Sequence, residues 1–130
     1  MTRSPLVLPQ DEANSRLLAE VHPENWKNPS PRKIYDLVGV GGGTAGLVAA
    51  AGAASLGAEV ALVERHLLGG DCLNYGCVPS KALIYASRIN HIRGGGADAF
   101  APAMERLRRL RADIAPHEGR ARLRYLGVDV

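Results

Sequence analysis

Apolar positions along this chain fall in short runs whose spacing predicts a strand–helix–strand beginning followed by further helices. Residues 34–40 form an apolar run after a proline break and read as a buried strand, which Gly39 weakens a little. Residues 59–64 form a second such run, closing on an acidic side chain. Between them, residues 44–56 are almost entirely small and apolar, the composition of a helix buried tightly on a sheet. Residues 80–92 repeat Leu83, Ala86 and Ile89 at helical spacing and stop at Gly94-Gly95-Gly96. Residues 104–114 repeat Leu107, Leu110 and Ile114, with arginines elsewhere, so a solvated arginine face is expected there. Residues 122–130 have the pattern of an approach to another strand.

Residues 1–33 read as a partly ordered N-terminal extension. Residues 11–21 suit a short helix with Leu17, Leu18 and Val21 on one side, while His22-Pro23 and Asn28-Pro29-Ser30-Pro31 break regular structure. Trp26 suits an anchor onto the domain surface, and the composition of the rest predicts a loosely ordered tail. Residues 34–130 remain as a single α/β unit, since 130 residues allow one domain at most and a modest core.

Charge and composition narrow the function classes. The net charge of +3 is mild, and the arginines of residues 104–114 lack the aromatic or groove-reading pattern of a nucleic-acid surface, so no nucleic acid partner is expected. No run of eighteen apolar residues is present, so no membrane span is expected. Asp11, Glu12 and Glu20 interrupt the N-terminal apolar residues, which argues against a secretory leader and for a cytoplasmic location. In that compartment a close cysteine pair is expected to be redox-active rather than structural. Two cysteines with scattered His66, His91 and His117 lack any ligand spacing, so no metal site is expected.

Directly after the first predicted strand stands Gly41-Gly42-Gly43-Thr44-Ala45-Gly46, which fits G-x-G-x-x-G. Gly41 allows the tight turn, Gly43 lets backbone approach a pyrophosphate, and Gly46 permits close helix–strand packing. The phosphates would rest on the amides of the following helix N-terminus. Glu64 ends the second strand 23 positions beyond Gly41, the expected place for a carboxylate that holds both ribose hydroxyls and disfavours a 2′-phosphate. The turn alone does not separate FAD from NAD.

The cysteines make that separation. Cys72 and Cys77, the only two in the chain, follow Gly69-Gly70 and precede Pro79-Ser80-Lys81. In a continuous helix, residues five apart have Cα atoms ~9 Å apart. A disulfide needs them within about 7 Å, so pairing requires a distorted turn, for which Asn74 and Gly76 are suitable residue types. A bond closing so small a loop adds little stability, which favours redox over structural use. Cys77 lies 13 positions beyond Glu64, within extended reach of the far end of a dinucleotide. A disulfide beside a nicotinamide has no evident use, whereas one beside a flavin can accept its electrons.

The stretch Gly69-Gly70-Asp71-Cys72-Leu73-Asn74-Tyr75-Gly76-Cys77-Val78-Pro79-Ser80-Lys81-Ala82-Leu83 resembles the redox-disulfide motif of the class I pyridine nucleotide-disulfide oxidoreductases, which include dihydrolipoamide dehydrogenase and mercuric reductase. Its Pro-Ser-Lys-Ala-Leu ending is nearer those two than glutathione reductase, and Asp71 departs from the threonine usual in the family. The resemblance implies a partial Rossmann-like FAD-binding domain, with the NAD(P)-binding and dimerisation domains absent and the connection between Arg93 and Met104 shortened. It implies Cys77 as the thiol nearer the flavin, Cys72 as the interchange thiol, and Lys81 as the lysine near the flavin ring. The implied cofactor contacts are Gly41, Gly43, Thr44, Ala45, Gly46, Glu64, Arg65, Gly70, Asp71 and Lys81. In a complete enzyme of this kind, NAD(P)H would reduce FAD, the Cys72–Cys77 disulfide would follow, and a small disulfide or a metal ion would be the final acceptor. A homodimer is implied only for a full-length enzyme, and this chain alone is expected to lack efficient NAD(P)H turnover. Two other readings remain: a truncated, non-catalytic remnant or interaction domain with weak or no FAD binding, and an NAD-binding module with incidental cysteines.

Overall fold

The computed structural model describes residues 7–130. Helix α1 (Glu12–Val21) is followed by β1 (Leu37–Val40), α2 (Thr44–Ser55), β2 (Val60–Val63), α3 (Gly70–Asn74), α4 (Cys77–Ile92), α5 (Phe100–Ile114), α6 (Arg120–Tyr125) and β3 (Val128–Asp129). The strands form a parallel sheet in the order β1-β2-β3. Parallel neighbours need a crossover, which α2 supplies between β1 and β2. The result is a partial Rossmann-like α/β unit, and residues 122–130 do deliver a third strand. None of the described helices is long and apolar enough to cross a membrane.

Register explains which sheet face is covered. Val38 pairs with Ala61 and Val40 with Val63, placing these four on one face; Leu37, Val60, Gly39 and Leu62 alternate onto the other. Val60 and Leu62 are buried, whereas Val40 is 88% exposed and Val38 and Val63 about half exposed. The expectation that residues 34–40 form a buried strand therefore fails. Among the described residues β1 has a partner on one side only, and its outward side chains meet no layer. For the same reason α2 is not buried all round. Leu47 and Ala50 face the sheet, while Val48 and Leu56 project into solvent.

The helical layer holds two further departures. The apolar stripe on α5 is present at Leu107, Leu110 and Ile114, but Arg111 lies beside it, only 7% exposed. The fully solvated arginine face thus does not hold. Of the helically spaced Leu83, Ala86 and Ile89 on α4, Leu83 is exposed, and Ala82 takes the buried position.

The expected short helix over residues 11–21 forms as α1, and Trp26 packs against the core. The extension is anchored on the domain from residue 7 on, residues 1–6 lying outside the described residues. Asp11 caps α1 by accepting from the Asn14 N–H at 2.8 Å, and Arg108 of α5 donates to the same carboxylate. That backbone hydrogen bond, with Arg108 adding to it, holds the Asp11 carboxyl below its ordinary range. Leu17 and Val21 are completely buried in the core formed with Leu47, Leu62, Leu68, Leu73 and Leu123. Burying two such side chains contributes about 3–6 kcal/mol, enough to hold a short helix that would not persist alone.

Candidate functional site

The glycine-rich turn is shaped by how closely its backbone segments approach. Gly41 has φ +105°, and the space its missing side chain leaves is open to at least 4 Å. Gly46 is the opposite case, since a Cβ there would lie 1.9 Å from the Gly41 carbonyl oxygen. Gly42, a variable position of the motif, joins three elements. Its N–H donates to Glu64 Oε2 at 2.6 Å, and its carbonyl accepts from the Gly69 N–H at 2.8 Å. Glu64 Oε1 accepts from the His66 N–H at 2.7 Å. A carboxylate has about four acceptor sites, so Glu64 is held by two amides with capacity left for two ligand hydroxyls. The open cradle at Gly41 and this donor set fit the phosphate and ribose parts of a dinucleotide.

The thiol loop sits directly on this turn. A Cβ at Gly70 would be 2.6 Å from the Gly43 Cα, so only glycine allows α3 to start against α2. The helix is not continuous across the cysteines. It ends at Asn74 and restarts at Cys77, with Tyr75 and Gly76 between, which removes the long separation a regular helix would impose. Asn74 does more than tolerate the break. Completely buried, it donates from Nδ2 to the carbonyls of Leu68 and Gly70 at 3.0 and 2.8 Å. Its own carbonyl accepts from Arg111 Nη1 at 2.8 Å, and Arg111 Nη2 donates to Asn14 Oδ1 at 2.6 Å. Asn14 in turn donates to the Pro9 carbonyl at 2.7 Å. A buried polar chain therefore links α1, α5 and the turn between the two thiols.

Electrostatics differentiate the thiols. Cys72 is half-buried and Cys77 exposed. The neighbouring Cys77 side chain is the main influence pushing the Cys72 pKa up. Burial and the Cys77 and Glu118 charges add to that, while the Thr44 hydroxyl opposes it. Reduced Cys72 thus keeps its proton at neutral pH. Glu118, ahead of α6, presses Oε2 against the Gly69 backbone, where a Cβ would meet it at 2.6 Å. Burial raises the Glu118 pKa, with Arg122 and His117 opposing. A group with a raised folded pKa contributes stability that is full below the unfolded value and is lost as pH rises through the folded one. Glu118→Gln, which cannot ionise, is therefore expected to raise Tm at pH 7. The gain should vanish below about pH 4.5, the ordinary carboxyl value. Thermal melts of both proteins across pH 3.5–8 check this; an equal gain at every pH contradicts it.

The family model described as pyridine nucleotide-disulphide oxidoreductase matches residues 35–125. The chain belongs to this family. Its curated relatives include a dihydrolipoyl dehydrogenase of Trypanosoma brucei brucei, 59% identical over 58 residues, which are 44% of this chain and 12% of that protein. One from Halobacterium salinarum is 54% identical over 59 residues, 45% of this chain and 12% of the relative. Dihydrolipoyl dehydrogenase 3 of Pseudomonas putida is 53% identical over 70 residues, 53% of this chain and 15% of the relative. The matched stretches thus span only a small part of these relatives.

Of the residues singled out from sequence, the glycine turn, Glu64 and the start of the thiol loop lie together through Gly42, Gly43, Gly69 and Gly70. Gly41, Gly43 and Gly46 form the turn, Thr44 and Ala45 open α2 and are exposed, and Glu64 stands at the end of β2 with Arg65 exposed beside it. Gly70 and Asp71 begin α3, next to Cys72. Lys81 is exposed on α4, one turn beyond Cys77. Sequence reasoning passed over Gly42, Asn14 and Arg111. Only Gly42 left a signal, a third consecutive glycine where the motif allows any residue. The rest are polar residues whose partners are distant in sequence.

Proposed function

We propose that this chain is the FAD-binding part of an oxidoreductase that exchanges electrons between a nicotinamide and a small disulfide or dithiol through the Cys72–Cys77 couple. The observation that carries the reading is the backbone contact of the two motifs, with Gly69 N–H on the Gly42 carbonyl and Gly70 against Gly43. One fold element thereby presents a dinucleotide cradle and a thiol pair together. The names of the relatives favour a dihydrolipoyl-type substrate over a metal ion.

Gly41, Gly43, Thr44, Ala45 and Gly46 would hold the pyrophosphate, Glu64 the ribose hydroxyls, and Arg65, Gly70, Asp71 and Lys81 would line the remainder. Bound FAD supplies a carrier able to take a hydride from a nicotinamide and pass an electron pair to a disulfide. In the overall reaction NAD(P)H loses a hydride, solvent supplies one proton, and the Cys72–Cys77 bond opens to two thiols. Transfer to a substrate disulfide reverses this at the protein. Cys72 attacks as its proton leaves, the substrate S–S bond breaks, and Cys77 displaces the mixed disulfide to restore Cys72–Cys77. Because burial and Cys77 keep Cys72 protonated, a base must take that proton.

A visible absorption spectrum of the chain, after incubation with FAD and removal of excess, tests this. Retained flavin absorbance is expected, with a long-wavelength shoulder on dithiol reduction that Cys77→Ser removes and Cys72→Ser keeps. A folded chain that retains no flavin would overturn the reading in favour of a non-catalytic interaction domain.

A further inference from the structure

Two adjoining cavities, of about 380 and 340 Å³, meet at Glu64 and share Trp26 and Asn28. The first is closed by His22 on the leader side and by Arg65 and His66 on the side of β2. The leader is fixed there. Leu68 N–H donates to the Val21 carbonyl at 3.2 Å, and His22 Nδ1 lies 2.6 Å from the His66 carbonyl. The Arg120 guanidinium covers the Trp26 ring at 4.8 Å and also donates to the Lys27 carbonyl. Trp26 is thus a half-buried aromatic plane held from behind, beside the carboxylate assigned to a ribose.

We infer that Trp26, from a segment outside the family match at residues 35–125, forms a wall of the adenosine end of the nucleotide site. The inference rests on the dinucleotide reading and extends it to a residue that the glycine motif does not include. Cavities of this size are in the range that holds small ligands. A purine base offers a π face to an indole, and stacking of this kind is tolerant of exact placement. With Glu64 on the ribose, the base of the same nucleoside must lie close by, and among the described residues Trp26 is the aromatic side chain that lines both cavities together with Glu64. Arg120, rather than touching the nucleotide, positions the ring by its cation–π contact.

Trp26 is the only tryptophan in the chain, so its emission reports on one position. ADP is the suitable probe, because it carries the adenosine and pyrophosphate without a flavin that would quench at long range. Titration of the full chain with ADP is expected to change Trp26 emission saturably, and FAD should compete for the change. Trp26→Leu should weaken ADP and FAD binding on the order of tenfold to a hundredfold by equilibrium dialysis, with Trp26→Phe in between. If FAD is retained, while ADP leaves the emission unchanged and Trp26→Leu binds ADP as the native chain does, the inference falls and the functional reading stands. If a folded chain binds neither FAD nor ADP, both fall. The titration of the native protein stands whether or not the variants fold.

Discussion

Gly46→Ala is expected to cost about 3 kcal/mol or more and to abolish nucleotide binding, because its Cβ would sit 1.9 Å from the Gly41 carbonyl oxygen. Both contacting groups are backbone, so no rotamer change relieves the overlap, and α2 must move off β1. That displacement pulls the amides at the start of α2 away from where a pyrophosphate would rest. Gly52 provides the internal control on the same helix, since nothing lies within 4 Å of a Cβ built there. Gly52→Ala should stabilise by about 0.5–1 kcal/mol through lower backbone entropy in the unfolded chain. Urea unfolding of both variants decides the matter. Equal effects of the two substitutions would mean that the close approach of α2 to the turn is not required.

Arg111→Met should destabilise by about 2–4 kcal/mol, since the Asn74 carbonyl and Asn14 Oδ1 each lose a charged donor in a buried setting. Relief of desolvation opposes this. Burial already pushes the Arg111 pKa down, and its Nε has no partner among the described residues. The hydrogen bonds are expected to win because removing one side leaves polar groups stranded, whereas removing both sides does not. Asn14→Leu combined with Arg111→Met should therefore be less damaging than the sum of the single changes, with a coupling of about 1 kcal/mol or more. Additive effects would show that Arg111 and Asn14 act independently. Loosening the Asn74 carbonyl should also alter the thiols, so the reduction potential of the Cys72–Cys77 couple should shift in Arg111→Met but not in Gly52→Ala.

The parts legible in sequence were those carried by local pattern. The glycine motif, the acidic end of β2 and the cysteine pair each occupy a few consecutive positions, and the structure brings all three together. What stayed hidden depends on partners far along the chain or on which faces find a covering layer. The apolar run at residues 34–40 looked buried because composition does not distinguish a central strand from one whose Val38 and Val40 stay half or more exposed. Arg111 looked solvated because its helix carries many arginines, and only the arrival of Asn14 and Asn74 distinguishes it. Within the N-terminal extension the helix carrying Leu17 and Val21 was legible from its spacing, but its firm docking was not, because their burial needs the core to exist first.

The link from Asn14 to Arg111 spans 97 positions. During synthesis the cysteines leave the ribosome before Arg111 does, so the turn between them has no guanidinium to close on. Contacts of such long range form slowly relative to local helices. In that interval the two thiols are nascent, accessible and without their final geometry, open to oxidation or to disulfides with other chains. In this fold the turn between Cys72 and Cys77 is completed only when α5 brings Arg111 to Asn14 and Asn74.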